Sequence, residues 1–164
     1  MKKRKKMPPR VRLRELFDYR DGKLLHKTTR GGQKKGSVAG IINDRGYRVI
    51  GINGDKFKAH RLVWAWHHGD EPENIDHIDG DKSNNRITNL RACTHLDNCA
   101  NRGAPPNNTS GIKGLSWHKR DKVWRARVAA GGKRYEKAFK DKDDAVKFVR
   151  ELRERLHGEF ANHG

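Results

Sequence analysis

The sequence contains little cysteine and no long apolar run. Only Cys93 and Cys99 occur among 164 residues, which excludes the disulfide framework of small secreted domains. Zinc ligand pairs are usually separated by two to four residues, whereas five residues separate these cysteines, so a structural zinc site that includes His95 is disfavoured. No segment approaches the roughly 18 consecutive apolar residues of a membrane span. The basic amino terminus has no apolar run behind it, which predicts an intracellular, cytoplasmic protein without a secretory signal.

Negative charge is also scarce. The chain has 38 Lys and Arg against 20 Asp and Glu, a formal net charge of +18. Such an excess predicts a polyanionic partner, and since a membrane is disfavoured, that partner is expected to be nucleic acid. Apolar residues make up 33% of the chain and occur in short clusters. We therefore expect small α+β modules rather than one large core.

The amino-terminal part is predicted to be a tail followed by a small antiparallel sheet. Residues 1–10 are basic and contain proline, so they are expected to be disordered until they meet phosphate, or to serve only solubility. From about Val11 to Lys58 the pattern is typical of strands, and Asn53-Gly54 predicts a tight hairpin. The expected strands are Lys23–His26, Ser37–Ile42, Tyr47–Ile52 and Lys56–Ala59.

The middle of the chain is predicted to alternate helix and strand. Residues 60–68 carry apolar groups at helical spacing and end at Gly69, which predicts a short amphipathic helix. Residues 75–102 then have the pattern of strand, polar loop, strand and helix. Thr94 and Asp97 have the spacing of a capping box, which places the start of that helix.

The carboxy-terminal part is predicted to be a separate module after a linker. Residues 103–109, with two prolines and two asparagines, have linker composition. Strands are expected at Ile112–His118, Val123–Ala130 and Arg134–Phe139, and Asp141 begins a helix whose apolar side chains share one face before Gly158. The expected domains are residues 11–102 and residues 110–160.

The most informative segment reads DHIDGDKSNNRITNLR, from Asp76 to Arg91. It resembles the motif of the HNH homing and phage endonucleases: Asp-His on a first strand, Asn-Leu about a dozen residues later, and His or Asn on the next helix. Here Asn89 follows Asp76 by 13 residues and Asn98 follows it by 22. The resemblance implies a ββα-metal core at about residues 75–102 and a DNA endonuclease in a phage-infected bacterial host.

The resemblance also implies roles for individual residues. His77 would be the general base, because an imidazole can accept a proton from water near neutral pH. Asp76 and Asn98 would each supply one oxygen to a metal, and Asn98 in place of His favours magnesium or manganese over zinc. Asn89 would tie the loop that positions the base, and Arg61 would clamp a phosphate.

Three other polar residues, two of them inside this segment, have simpler interpretations. Asp79 and Asp81 could be further ligands, but Asp-Gly-Asp is also typical of a plain turn, which we favour. His60 matches the His-Arg pair before the family's helix, and a structural role is as good an interpretation as a functional one.

Residues 107–160 resemble the APETALA-two/ethylene-response DNA-binding domain, which lays a three-stranded sheet in the major groove. The matching segments include residues 109–117, residues 124–128 and the final helix. On the middle strand Trp124 alternates with Arg125 and Arg127, which predicts an apolar face for the helix and a basic face for DNA. The candidate DNA-binding residues are Trp117, Lys119, Arg120, Arg125, Arg127 and Lys133.

The favoured function is thus a site-preferring endonuclease that hydrolyses double-stranded DNA and nicks it as a monomer, or cuts both strands as a weak dimer. One alternative is a non-catalytic DNA-binding protein, a regulator or an accessory of phage packaging proteins, on an HNH scaffold. A weaker alternative is an RNA-binding module, which the absence of RNA-recognition aromatic motifs disfavours.

Overall fold

The computed structural model describes residues 6–163 and has mixed helix and sheet, which confirms the α+β class. The chain divides into two compact units, Met1–Ala92 and Cys93–Gly164. Half of the predicted disordered tail, residues 1–5, lies outside the described residues, and a helix already begins at Arg10. No helix of residues 6–163 is long and apolar enough to cross a membrane.

The first unit begins with a helix that the sequence pattern did not predict. Helix α1 (Arg10–Leu16) precedes the antiparallel pair β1 (Phe17–Arg20) and β2 (Lys23–His26). The prediction of strand from Val11 was therefore wrong over α1. The reason is that Leu13 is fully buried and Leu16 packs against the same core, a three-residue spacing that suits one face of a helix.

A second sheet follows, so the amino-terminal strands form two small sheets rather than one. Strands β3 (Ile41–Ile42), β4 (Arg48–Ile52) and β5 (Asp55–Lys58) lie in that order, and the hairpin at Asn53-Gly54 is confirmed. The predicted strand Ser37–Ile42 is reduced to its last two residues. Gly40 has a φ of +78° and its Cα lies against the backbone of Val49, a conformation that interrupts a regular strand.

Helix α2 (Ala59–His68) supplies much of the core of this unit. Leu62 and Val63 are fully buried on it, and Gly69 ends it in the left-handed conformation with a φ of +86°, as the sequence predicted. Strand β6 (Asn74–His77) then pairs with β7 (Leu90–Cys93), and a short 3-10 turn, Ile87–Asn89, precedes β7. The predicted strand from Ile87 thus starts three residues late.

The second unit contains a short helix, a sheet and a long helix. Helix α3 (His95–Ala100) begins with the predicted capping box, because Thr94 Oγ1 accepts from Asp97 N and the Asp97 carboxylate accepts from Thr94 N. The following elements are β8 (Leu115–His118), β9 (Val123–Ala130), β10 (Lys133–Phe139) and α4 (Lys142–His157). The sheet has the order β10-β9-β8, and α4 packs on it over Ala126 and Val128.

Candidate active site

The hairpin formed by β6 and β7 carries the Asp-His pair. Asp76 and His77 end β6, and each is only 6% exposed although neighbouring side chains of a strand point to opposite faces. The hairpin is therefore covered on both faces. The strands stay joined beyond β6, since Ile78 N donates to Asn89 O at 2.9 Å. Two ionisable side chains buried side by side must each have polar partners.

The loop between the strands is held by its own side chains. Asp79 Oδ1 accepts from Asp81 N at 2.8 Å and from Asn89 Nδ2 at 2.9 Å, while its Oδ2 accepts from Asn84 Nδ2 at 2.7 Å. Asp81 Oδ1 accepts from the backbone and the hydroxyl of Ser83. Burial raises the pKa of Asp79, but these hydrogen bonds outweigh it and hold the pKa below its usual value. Both carboxylates thus serve the loop, which favours the turn interpretation.

Asn89 closes this loop from its far end. Its Oδ1 accepts from Asp79 N at 3.1 Å, and its Nδ2 also donates to Asn84 O at 2.9 Å. The side chain therefore spans the loop just after His77. This arrangement supports the role in tying the loop that the sequence analysis assigned to Asn89.

His77 has a buried partner that sequence analysis missed. Its Nε2 lies 3.1 Å from Oδ1 of Asn85, which is 2% exposed, and Asn85 Nδ2 donates to Ser83 O at 3.2 Å. Since the amide nitrogen faces Ser83, the amide oxygen faces the imidazole, and an oxygen can only accept. The proton of neutral His77 is therefore on Nε2, and the lone pair is on Nδ1.

Asp76 is bound by an arginine of the paired strand. Arg91 Nε and Nη2 both donate to Asp76 Oδ2, at 3.1 and 2.9 Å, and the two side chains are 13% and 7% exposed. The guanidinium compensates the buried carboxylate and fixes its orientation. Arg91 belongs to the quoted motif, but nothing in the sequence showed that it would face Asp76.

Two aromatic side chains lie against His77. His60, on α2, meets His77 edge to face at 5.0 Å between ring centres, and Tyr47 lies 5.5 Å from His60 and 6.3 Å from His77. Burial, with the positive potential of His77, Lys58 and Arg61, lowers the pKa of His60 to about 3. His60 is thus neutral near neutral pH and acts as a wall of the site rather than a proton carrier.

Arg61 is directed away from this wall toward the segment after α2. Its Nε donates to Glu71 Oε1 at 2.8 Å, Nη2 donates to Pro72 O at 2.9 Å, and Nη1 donates to Glu73 O at 3.4 Å. All three guanidinium nitrogens therefore have partners that anchor this segment to α2. A phosphate contact by Arg61 stays a prediction, and it would have to compete with these bonds.

The candidate metal ligand Asn98 lies on α3, in the second unit. It is half-buried, and its backbone nitrogen donates to Thr94 O at 3.1 Å. At the other end of α3, Lys113 Nζ donates to Ala100 O at 2.6 Å and to Arg102 O. A cation at the carboxyl end of a helix is favourable. Hydrogen bonds therefore fix both ends of α3, the helix that carries Asn98.

The donor chemistry of Asp76 and Asn98 fits a hard divalent cation. A carboxylate oxygen and a carboxamide oxygen are the ligand types that magnesium and manganese prefer. Among residues 6–163 there is no group of three or more His, Cys, Asp or Glu side chains placed to hold a metal.

The register of the second sheet separates the candidate DNA-binding residues onto two faces. Trp117 pairs with Trp124, and their rings lie 5.2 Å apart on the side that bears the buried Ala126. Arg125 and Arg127 point to the opposite side, away from α4. Lys119 and Arg120 lie in the turn before β9, and Lys133 is the exposed first residue of β10.

Carboxylates form ion pairs with Arg125 and Arg127 on the open face of the sheet, which is the face opposite α4. Arg127 Nε and Nη2 contact Glu136 at 2.9 and 3.2 Å, and Arg125 Nη2 donates to Asp121 at 2.9 Å. The pKa of Glu136 is lowered by these contacts. The guanidinium groups are thus already oriented on an exposed sheet surface.

Comparison with known proteins agrees with this geometry. Residues 57–100 match the HNH endonuclease family model, so this segment, with β6, β7 and α3, is an HNH endonuclease domain. The chain is also 40% identical over 106 residues to Protein 3.8 of Escherichia phage T7, an alignment that covers 63% of this chain and 88% of that protein. The chain belongs to the HNH endonuclease family. No solved structure matches it.

Proposed function

We propose that this chain is a metal-dependent endonuclease that hydrolyses one strand of duplex DNA at a time, with His77 as general base. The observation that carries the proposal is the buried His77, whose Nε2 is fixed by Asn85 at 3.1 Å, next to Asp76 in an HNH domain. The phage relative and the net charge of +18 support a nucleic acid substrate in an infected bacterial cell.

The tautomer of His77 determines what the residue can do. With its proton on Nε2, the imidazole presents the lone pair of Nδ1 to water and accepts the proton as the water oxygen attacks phosphorus. The bonds of Asn85 to His77 and to Ser83 O keep the ring in this tautomer and orientation. Asn89 acts one step further away, by fixing the loop that carries Asn85.

Asp76 and Asn98 are the residues that we propose to hold one magnesium or manganese ion. When bound, such an ion stabilises negative charge on the phosphate and on the leaving 3′ oxygen. The role of Arg91 is to orient the Asp76 carboxylate, since its Nε and Nη2 both donate to Oδ2. The products would carry 5′-phosphate and 3′-hydroxyl ends.

The second unit would hold the substrate. Arg125 and Arg127 lie on the open face of its sheet, and Lys119 and Arg120 lie at the adjoining turn. Arginines at this position can contact phosphates and guanine edges. If this unit acts as an APETALA-two/ethylene-response-like domain, its sheet would lie in the major groove, and Trp117 would contribute mainly by packing on Trp124.

Nicking of supercoiled plasmid tests the proposal. The wild-type protein should convert plasmid to the open circle with magnesium or manganese and not with EDTA. His77→Ala should lose this activity and keep its affinity for DNA, whereas His68→Ala, at an exposed histidine at the end of α2, should cut normally. Equal cutting by both variants would show that another group is the base.

A non-catalytic DNA-binding protein is the second candidate. The observation that favours it is that Arg91 already neutralises Asp76, so the carboxylate has a partner without any metal. In that case the protein would bind duplex DNA but produce no metal-dependent nick under any of these conditions. That result would reject the endonuclease and retain the binding function.

A further inference from the structure

Two lysines of the first unit lie over the ring of Tyr47, and the charge of a third basic residue, Arg45, is close enough to lower the pKa of Lys58. Lys58 Nζ lies 3.9 Å from the ring centre and Lys82 Nζ lies 5.3 Å from it. Lys82 Nζ also lies 3.5 Å from the carbonyl oxygen of Arg45. These three basic residues come from different segments: Arg45 from the turn before β4, Lys58 from the end of β5, and Lys82 from the loop after β6. The fold thus gathers charges that are distant in sequence.

The ring of Tyr47 is held in place beside the candidate base. Asn43 Oδ1 accepts from Tyr47 N at 2.9 Å and Asn43 N donates to Tyr47 O at 2.8 Å, so the turn before β4 is closed. The ring centre of Tyr47 is 6.3 Å from that of His77. Duplex DNA rises ~3.4 Å per nucleotide along its axis. A phosphate bound by this cluster would therefore lie within about two nucleotides of the phosphate at which His77 activates water.

The charges of this cluster have no carboxylate partner among residues 6–163. Arg45, Lys58 and Lys82 form no ion pair with any carboxylate of residues 6–163. The nearest acidic side chains along the loop, Asp79 and Asp81, accept from the loop's own donors instead. The pKa of Lys58 is lowered by burial and by the neighbouring positive charges of Arg61, Arg45 and Lys82. This repulsion is relieved when a polyanion binds.

From this geometry we infer that Arg45, Lys58 and Lys82 form a phosphate-binding subsite around Tyr47 that holds the backbone of duplex DNA beside His77. The inference rests on the proposed function only for the identity of the polyanion. Phosphate contacts of this kind set the register of a protein on DNA without reading the sequence. The subsite would therefore place the scissile phosphate, while the second unit selects the region of DNA.

Salt-dependent binding to a fluorescent DNA duplex in EDTA tests the subsite without cleavage. Each phosphate contact contributes about 0.9 to the slope of log Kd against log salt concentration, so Lys58→Gln/Lys82→Gln should lower the slope by about 1.8. Over a fourfold range of salt concentration, the loss of affinity caused by this double substitution should therefore be about tenfold larger at the lowest salt concentration than at the highest. Arg45→Gln alone should lower the slope by about 0.9 and provides an independent variant.

The matched control removes the same charge elsewhere in the unit. Lys23→Gln/Lys35→Gln changes two exposed lysines of β2 and the loop after it, and its slope should stay close to the wild-type value. Both double variants should retain the wild-type melting temperature, since all four side chains are exposed. Equal slopes for the two double variants would overturn the subsite and leave only a general charge effect.

Methylphosphonates, which replace one charged phosphate by a neutral group, can locate the position along the DNA that the subsite contacts. Duplexes with a single methylphosphonate at each position around the nick should weaken wild-type binding most within about two nucleotides of the cut. The same substitution should have little effect on Lys58→Gln/Lys82→Gln, because the contact is already lost. A wild-type protein that never nicks DNA but shows the slope difference would reject the endonuclease and keep the subsite. Normal nicking by the wild type, together with a salt slope for Lys58→Gln/Lys82→Gln equal to that of the wild type, would reject the subsite and keep the endonuclease.

Discussion

Replacement of Asn85 tests whether His77 depends on one buried hydrogen bond. Asn85→Leu keeps the approximate volume of the side chain but removes the oxygen that accepts from His77 Nε2 at 3.1 Å and the donor to Ser83 O. The imidazole would then have to leave Nε2–H without this acceptor or adopt the other tautomer. The other tautomer places the proton on Nδ1, the atom that must accept a proton from water.

The expected size follows from the burial of the pair. Asn85 is 2% exposed and His77 is 6% exposed, so solvent cannot readily replace the lost acceptor. A buried donor without a partner costs about 1–3 kcal/mol. If that cost falls entirely on the productive orientation of His77, the rate of cleavage should decrease about 5- to 150-fold. Affinity for DNA should stay unchanged, because neither side chain lies on the exposed surface.

Single-turnover nicking at saturating enzyme, together with DNA affinity in EDTA, separates these effects. Asn85→Asp retains an acceptor oxygen for His77 and should recover most of the lost rate, whereas a purely structural role would not distinguish the two variants. The thermal midpoint of each variant serves as the control for folding. Wild-type cleavage by Asn85→Leu, or a loss of affinity as large as the loss of rate, would refute the reasoning.

Three further predictions concern stability. Arg91→Met should lower the free energy of unfolding by about 3 kcal/mol, because it leaves the Asp76 carboxylate buried at 7% side-chain exposure without its guanidinium. Acid should lower the stability of the wild type between about pH 6.5 and pH 3. Over this range His60 takes up a proton in the unfolded chain but not in the folded protein, because its pKa in the folded protein is lowered to about 3. His60→Phe should remove this part of the acid sensitivity. Gly22→Ala should lower the free energy of unfolding in urea more than Gly54→Ala does. Both glycines have a φ near +80°, but a Cβ at Gly22 would lie 2.6 Å from Arg86 N, whereas a Cβ at Gly54 would meet no atom within 4 Å.

Each of these predictions has a matched comparison. Arg86→Met removes an exposed arginine from the same loop and should change stability by less than about 0.5 kcal/mol; an equal loss in both variants would contradict the role of the ion pair. His68→Phe should leave the acid transition unchanged, and the same result for His60→Phe would count against the titration. Equal costs at the two glycines would mean that the loop yields to the added methyl group.

Local signals were sufficient where neighbours in sequence decide the structure. Periodicity and Gly69 predicted α2, the Thr94–Asp97 spacing predicted the capping box of α3, and the asparagine-glycine pair at residue 53 predicted its hairpin. The alternation along β9 also predicted which side packs on α4. In contrast, α1 was missed, because its seven residues form a helix only when Leu13 enters a core built by later segments.

In the candidate site, the sequence showed the motif residues, whereas only the structure shows their hydrogen-bond partners. The residue types and spacings of Asp76, His77, Asn89 and Asn98 were readable as an HNH motif from the sequence, since all four lie in one continuous segment, within the residues that match the family model. The partners of Asp76 and His77 were not readable, because many polar residues of the same segment were equally good candidates. Only the folded loop shows that Asn85 turns its oxygen to His77 and that Arg91 faces Asp76 across the hairpin.

The charge of the chain shows the same division between composition and folding. The net charge of +18 is a property of composition, and it predicted a polyanionic partner without any structure. It did not show which positive charges would work together. Lys58 and Lys82 are 24 residues apart in the sequence, and they meet over Tyr47 only because β5 and the loop after β6 come together in the tertiary structure. Coulomb energy depends on distance through space rather than on separation along the chain, so only the fold could select these charges.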